Sequence, residues 1–214
     1  MTERAIPEGD RRRERMVDRQ LRRRGISDER VLRAMATVPR EAFVPAELAD
    51  HAYDDAALPI GEDQTISQPY IVAAMCELLS LTGAERVLDV GTGSGYAAAV
   101  LDELAASVVS IERIERLADR ARSALEATGH GDVEVRVGDG SLGAPDRAPF
   151  DGIAVAAATS RIPPALYSQL VEGGRLVLPL GGPGGQQLIR LVRTQDGPVK
   201  TASLGCRFVP LVTA

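Results

Sequence analysis

The chain has 214 residues, and at about 100–200 residues per domain that is one domain with room for a small appendage. Hydrophobic residues at 44%, charged residues at 26% and a net charge of −5 exclude wholesale disorder, and 21 glycines without a three-residue period exclude a collagen-like chain. No stretch holds the roughly 18–20 uncharged apolar residues that a membrane span needs, no apolar core of a secretory signal is present, and aromatics at 3% are too few to stack single-stranded bases.

Residues 1–40 carry twelve Arg against seven acids. Because Glu14, Asp18, Met16, Val17 and Leu21 are interleaved with them, the arginines read as a solvated face of an amphipathic helix rather than a nucleic-acid arm. Asp10 is the expected cap of a helix over residues 10–24, with Gly25 as its stop. Residues 1–13 are expected as a basic, disordered terminus. Ser27 opens a capping signature, and Val31, Leu32, Met35 and Val38 recur at helical spacing up to Pro39. Residues 43–68 read as a proline-punctuated irregular segment, long enough to suggest function. A third helix is expected from Pro69, a residue suited to a first helical turn, to residue 80.

Beyond residue 85 the rhythm becomes strand–helix alternation. Strands are expected over 86–90, 108–111, 133–137 and 152–158, with helices over 96–105, 114–128 and 163–171. This spacing predicts βαβ units and a doubly wound parallel sheet. Strands over 175–180, 187–192 and 206–211 lack intervening helices, which predicts an antiparallel end. Cys76 and Cys206 form no CxxC pair, which fits a reducing cytoplasm.

VLDVGTGSGY, residues 87–96, is the most informative stretch. Gly91, Gly93 and Gly95 follow a strand and open a helix, with Thr92 between the first two. Glycines there let the chain turn tightly and let a ligand approach the main chain. The dinucleotide fingerprint G-x-G-x-x-G would need glycine where Tyr96 stands. Asp89 at the strand end would repel a pyrophosphate but suits a cationic ligand. S-adenosyl-L-methionine, with its sulfonium and its amino group, therefore fits better than a nicotinamide dinucleotide. Glu112, about twenty residues on, stands where a ribose diol is held in this architecture. Asp139 ends the next strand with Gly138 and Gly140 beside it, a place that admits a flat adenine. Each acid alone is a cap or a surface group; three at successive strand ends form a cofactor set.

With these stretches in view, the chain resembles the protein-L-isoaspartate O-methyltransferases. The residues that carry the resemblance are the glycine loop, GEDQTISQPYIVAAM (61–75), FDGIAVAAATSRIPPALYSQLVEGGRLVLPLG (150–181) and RFVPL (207–211). QTISQPYIVA is particular to that family; the glycine loop and GGRLVLPLG are shared more widely among class I methyltransferases. The resemblance spans residues 14–212. It implies a Rossmann-like doubly wound fold, with residues 14–80 as a helical cap and substrate segment and 81–214 as the cofactor-binding core. It also implies methylation of the misplaced α-carboxylate of isoaspartyl residues in damaged proteins and peptides. The ester then closes to a succinimide, which partly reopens as aspartate. A cytoplasmic enzyme without metal, working as a monomer away from membranes, is expected.

Carried over by position, the resemblance makes Ser67 the active-site serine. Gln64, Thr65, Ile66 and Tyr70 surround it on the cofactor side, Tyr70 standing where some relatives have His. Asp89, Gly91, Thr92, Gly93 and Gly95 hold the methionine end, Glu112 and Arg113 the ribose, and Asp139 and Gly140 the adenine. Pro59, Ile60, Ala157, Ala158, Thr159, Val209, Pro210 and Leu211 border the peptide groove. Some relatives continue after VPL with Thr and a polar tail; here Val212 follows.

The chemistry agrees with the residues available. An acceptor carboxylate with a pKa near 4 is already ionised at pH 7, so the protein must align and desolvate rather than deprotonate. His51 and His130 sit in no nucleophile or metal motif, and no G-x-S-x-G elbow surrounds Ser67. Its bland role is to cap the helix that begins at Pro69. A base-methylating enzyme on the same fold would need an (N/D)-P-P-(Y/F) run where residues 156–159 read AAAT. The motifs do not separate a general repair enzyme from one dedicated to a single peptide acceptor. Pro59 and Pro210, in extended segments, are candidates for pairing with an extended peptide.

Overall fold

The structure is a computed structural model that describes residues 8–182 and 184–212. Its centre is a seven-stranded sheet of order β5-β4-β3-β6-β7-β8-β9. The first strands are β3 (Arg86–Val90), β4 (Ser107–Glu112), β5 (Glu134–Val137) and β6 (Phe150–Val155), all mutually parallel where they pair. β7 (Leu170–Gly182) is parallel to β6, while β8 (Gly185–Thr194) and β9 (Gly197–Cys206) close the sheet as an antiparallel meander. The strand order reverses at β3, which has β4 on one side and β6 on the other. In open α/β sheets the crevice beyond the carboxyl ends at such a reversal is where ligands bind.

Both faces of the sheet are buried, as a parallel sheet requires. Alternation in β3 divides the core: Val87 packs on one face, Leu88 and Val90 on the other. The first face is covered by α2 (Glu29–Thr37), α3 (Pro69–Leu79), α4 (Tyr96–Asp102) and α5 (Glu115–Ala127). The other meets α6 (Pro164–Ser168) through Leu166 and Tyr167. Leu88 and Leu176 are fully buried there, and truncating either to Ala would cost about 2–5 kcal/mol.

The helical run begins at Glu8, earlier than Asp10. α1 (Glu8–Met16) continues through a π turn and a 3-10 turn to Arg24 and stops at Gly25 with φ 99°. Residues 8–13, expected as part of a disordered terminus, are helical because Arg12 pairs with Asp50 at 2.8 Å and Arg13 with Asp10 and Tyr53. Residues 1–7 lie outside the described residues. Arg15, Arg22, Arg23 and Arg24 are also ion-paired, with Glu8, Glu29, Asp18 and Asp55, as an amphipathic, self-neutralised helix would have them. Asp28, one residue later than the expected Ser27, caps α2, because the backbone N–H groups of Ser27 and Asp28 are taken by Glu77 of α3.

Residues 43–68 are not structureless. After a 3-10 turn that ends at Phe43 they hold a second one, Ala46–His51, and a hairpin, β1 (Leu58–Gly61) with β2 (Gln64–Ile66). Glu62 and Asp63 turn it with φ of 52° and 55°, a primed turn without its usual Asn-Gly signal. The last strand also differs from expectation: β9 ends at Cys206, and residues 207–211 leave the meander. Gln186 of β8 grips both the N–H and the C=O of Phe208. Ala158 then pairs in parallel with Pro210, donating to Val209 and accepting from Leu211 at 2.7 Å each. The tail thus lies across the end of β6.

Candidate active site

The carboxyl ends of β3, β4 and β6 converge on a cavity of about 370 Å³, within the roughly 300–1,000 Å³ common for small-molecule sites. The glycine loop forms its floor. The N–H of Gly91 reaches the Ile111 carbonyl at 2.8 Å, folding the chain back over β4. Gly91, Gly93 and Gly95 have φ of 95°, 54° and 92°, which a side chain would strain. Gly91 and Gly93 line the cavity. Gly95 instead faces α5, where an added Cβ would stand 3.3 Å from Ala121 and Leu125; it is a packing glycine.

Two carboxylates point into this floor. Asp89 is buried at 1% exposure; Ser110 donates to its Oδ2 at 2.7 Å and Thr92 stands 2.5 Å from Ser110. Its Oδ1 has no partner among the described residues. Burial and the neighbouring Glu112, against the Ser110 bond, push its carboxyl up to about 6. A buried acceptor left unpaired costs free energy, so this atom calls for a donor or cation from a ligand. Glu112 accepts from Gly93 N–H at 2.8 Å and from Ile114 N–H at 2.9 Å. Each of its oxygens keeps a lone pair. Gly140 also lines the cavity, its bare Cα packed so closely on the Val90 side chain that a Cβ would collide with it. These three features fit an adenosine-bearing cation.

The opposite wall is α3, β2 and the tail. Val72, Met75, Cys76 and Leu79 line the cavity at helical spacing. Cys76 is buried, and burial with Asp89 nearby pushes its thiol up to about 12; Tyr96 is likewise raised to about 12 by burial. Gln64, Thr65, Ile66 and Ser67 face the cavity from β2 and its end. Ser67 does not cap α3, whose N-cap is Gln68 without a side-chain bond. Ala157, Val209, Pro210, Leu211 and Val212 complete the wall.

The structure therefore gathers Ser67, Gln64, Thr65, Ile66, Asp89, Gly91, Thr92, Gly93, Glu112, Arg113, Gly140, Ala157, Val209, Pro210 and Leu211 around one space. Other expected residues stand off it. Tyr70 lies under the Arg24 guanidinium, 3.8 Å from its ring centre. Asp139 accepts from Ser141 N–H and starts a 3-10 turn that sets Gly140 in place. Ile60 is buried, packed toward Gly93, while Pro59 pairs across the hairpin with Thr65. Ala158 and Thr159 hold the tail and β7 through their backbones. His51 pairs with Asp54, and buried His130 with Asp102. Among the described residues no group of three His, Cys, Asp or Glu is arranged to hold a metal, and no helix is long and apolar enough to cross a membrane. Sequence reading missed Arg40, which is fully buried beneath Ser67; a single Arg after Pro39 carries no periodic signal.

The doubly wound sheet, the glycine loop at its reversal and the acids beside it define a class I methyltransferase fold. Comparison with known proteins narrows the class. A family profile described as Protein-L-isoaspartate(D-aspartate) O-methyltransferase matches residues 11–214, and the chain belongs to that family. It is 56% identical over 202 residues to Protein-L-isoaspartate O-methyltransferase 1 of Rhodopseudomonas palustris, covering 94% of this chain and 82% of the relative. It is 59% identical over 199 residues to Protein-L-isoaspartate O-methyltransferase 2 of Marinobacter nauticus, covering 92% and 91%. A solved protein-L-isoaspartate O-methyltransferase superposes with TM-score 0.84 at 29% identity, over 94% of this chain and 66% of that one. Another, from Plasmodium falciparum in complex with S-adenosyl-L-homocysteine, gives 0.81 at 24% identity over 94% and 98%.

Proposed function

We propose that this chain transfers a methyl group from S-adenosyl-L-methionine to the free α-carboxylate of L-isoaspartyl residues in damaged proteins and peptides, the first step of their repair. The observation that carries the reading is the joining of two chemistries in one cavity. The same cavity is lined by Asp89, one of whose oxygens has no partner among the described residues, and by Ser67, whose side chain does not cap α3. The relatives' names support the acceptor class.

S-adenosyl-L-methionine, when bound, supplies an electrophilic methyl group on a sulfonium. Asp89 would accept from its amino group, Glu112 from the ribose hydroxyls, and the bare backbone at Gly140 would admit the adenine. The acceptor carboxylate arrives ionised, so no base is needed. The lining agrees: no histidine faces the cavity, and Cys76 and Tyr96 are held protonated by burial. Ser67 would donate to the acceptor carboxylate and set its line of attack. The tail and Ala157 add apolar wall to the same space, and displacement runs best when desolvated. A monomer as the working unit is part of this proposal, and the unbridged Cys76 and Cys206 thiols suit the cytoplasm.

The test is methyl transfer from labelled cofactor to two peptides that differ only in carrying L-isoaspartate or L-aspartate. Alkali-labile label on the isoaspartyl peptide alone is expected, with kcat falling at least ~10-fold in Ser67→Ala. Label on neither peptide, with cofactor binding intact, would refute the acceptor.

A further inference from the structure

We propose that Arg40 is a positioning residue for Ser67, acting from beneath the active site through the Ser67 carbonyl. This rests on the reading of Ser67 as the hydroxyl that aligns the acceptor. Arg40 is fully buried, and no carboxylate pairs with it among the described residues. An isolated buried charge is expensive, so its retention needs a reason. Its donors supply one. Nε donates to the Ala52 carbonyl at 2.7 Å and Nη2 to the Ser67 carbonyl at 2.8 Å. One edge of the guanidinium thus bridges the two ends of the segment that carries the β1–β2 hairpin. Its plane also lies 4.8 Å from the centre of the Tyr96 ring, a ring that lines the cavity.

The local backbone shows why this bond matters to the hydroxyl. Ser67 sits between the end of β2 at Ile66 and the start of α3 at Pro69. The first α3 amides, Ile71 and Val72, donate to the Gln68 carbonyl rather than to Ser67. Helix hydrogen bonding therefore leaves the Ser67 peptide plane undetermined, and the Arg40 bond fixes it. Turning that plane would swing the Ser67 side chain out of line. A lysine cannot substitute, because its ammonium lacks the rigid edge that meets two carbonyls at once.

The experiment is a double-mutant cycle between Arg40→Lys and Ser67→Ala, with kcat for an isoaspartyl peptide and Kd for S-adenosylhomocysteine read on each protein. Arg40→Lys is expected to lower kcat about tenfold or more with Kd changed less than about twofold, and to change kcat less than about twofold once Ser67 is Ala. A merely structural role would lower kcat equally in both backgrounds or weaken S-adenosylhomocysteine binding in parallel; either result overturns the proposal. If Ser67→Ala alone leaves kcat unchanged, the reading of Ser67 fails, and the inference falls with it. Arg40→Gln, which can reach one carbonyl but not both, serves as the second variant. Should neither variant fold, the wild-type enzyme carries the test through the coupling between arginine ¹⁵Nη2 and the Ser67 ¹³C carbonyl across their hydrogen bond. A resonance that shifts on binding the isoaspartyl peptide is expected; one indifferent to the peptide overturns the proposal.

Discussion

The Ser110 hydroxyl donates to one oxygen of Asp89 at 2.7 Å, and the other Asp89 oxygen, buried at the cavity floor, meets no donor among the described residues. This half-satisfied carboxylate makes cofactor binding depend on pH. Burial raises Asp89 to about 6 in the ligand-free protein, and a bound cation favours the ionised form. Protons should therefore compete below pH 6, weakening affinity by up to about tenfold per pH unit. Calorimetric Kd values at pH 7.5 and pH 5 should differ in the wild type. Asp89→Asn should bind weakly at both, with a flat profile. The sign for stability is opposite. Because the folded pKa is raised, the ligand-free fold loses stability as pH rises from about 4 to 6, and Asp89→Asn should abolish that loss.

Gly140 tests the adenine slot. A Cβ there would overlap the Val90 side chain and approach Ile111 at 3.9 Å. Gly140→Ala should destabilise the chain by about 1–3 kcal/mol and weaken S-adenosylhomocysteine binding, read by thermal unfolding with and without the ligand. Gly138→Ala, where a Cβ meets nothing within 4 Å, is the matched control. Equal behaviour of the two variants would remove the slot from the site.

Legibility in the sequence followed the strength of local signals. The run at 86–90 and the spacing from Gly91 to Glu112 placed β3, its loop and β4 because strand, glycine and strand end are all written locally. The hairpin at Leu58–Ile66 was hidden because Glu62 and Asp63 adopt positive φ without the Gly or Asn that usually marks it. The last strand was expected too late, because VPL is an extended segment held by Gln186 and Ala158 rather than by a neighbouring strand. Tyr70, next to Ser67 in the motif, turned outward under Arg24; its direction depends on a partner 46 residues away. Arg40 was invisible for the same reason: its meaning lies in two carbonyls brought to it by the fold.

Glu85 should tune acid stability. Burial pushes its carboxyl up, but the Thr82 hydroxyl and the Thr82 and Gly83 amides outweigh this and bring it down to about 2. A lowered pKa contributes stability at neutral pH that is lost as pH falls from about 4.5 toward 2. Glu85→Gln should lower Tm at pH 7 by about 2–4 °C, the effect of roughly 1 kcal/mol in a chain of this size. By pH 3 the gap should have narrowed. Scanning calorimetry at both values checks it, and a gap that stays constant would mean that the turn depends on shape rather than charge.

Gln186 sets the tail that walls the cavity. Its carboxamide accepts from Phe208 N–H at 2.6 Å and donates to Phe208 C=O at 3.1 Å, completing from a side chain the pairing a strand would have made. Val209 to Val212 follow directly and line the cavity. Among the described residues Gln186→Ala leaves only the Ala158 bonds on this stretch of tail, so the wall should loosen without leaving. Hydrogen exchange at the Phe208 and Leu211 amides should quicken, and KM for an isoaspartyl peptide should rise several-fold, about 1 kcal/mol of lost alignment. Gln186→Glu keeps the acceptor for Phe208 N–H but loses the donor, so it should fall between the two. Unchanged exchange at Leu211 in Gln186→Ala would show that Ala158 alone holds the tail, and that the meander and the cavity wall are independent.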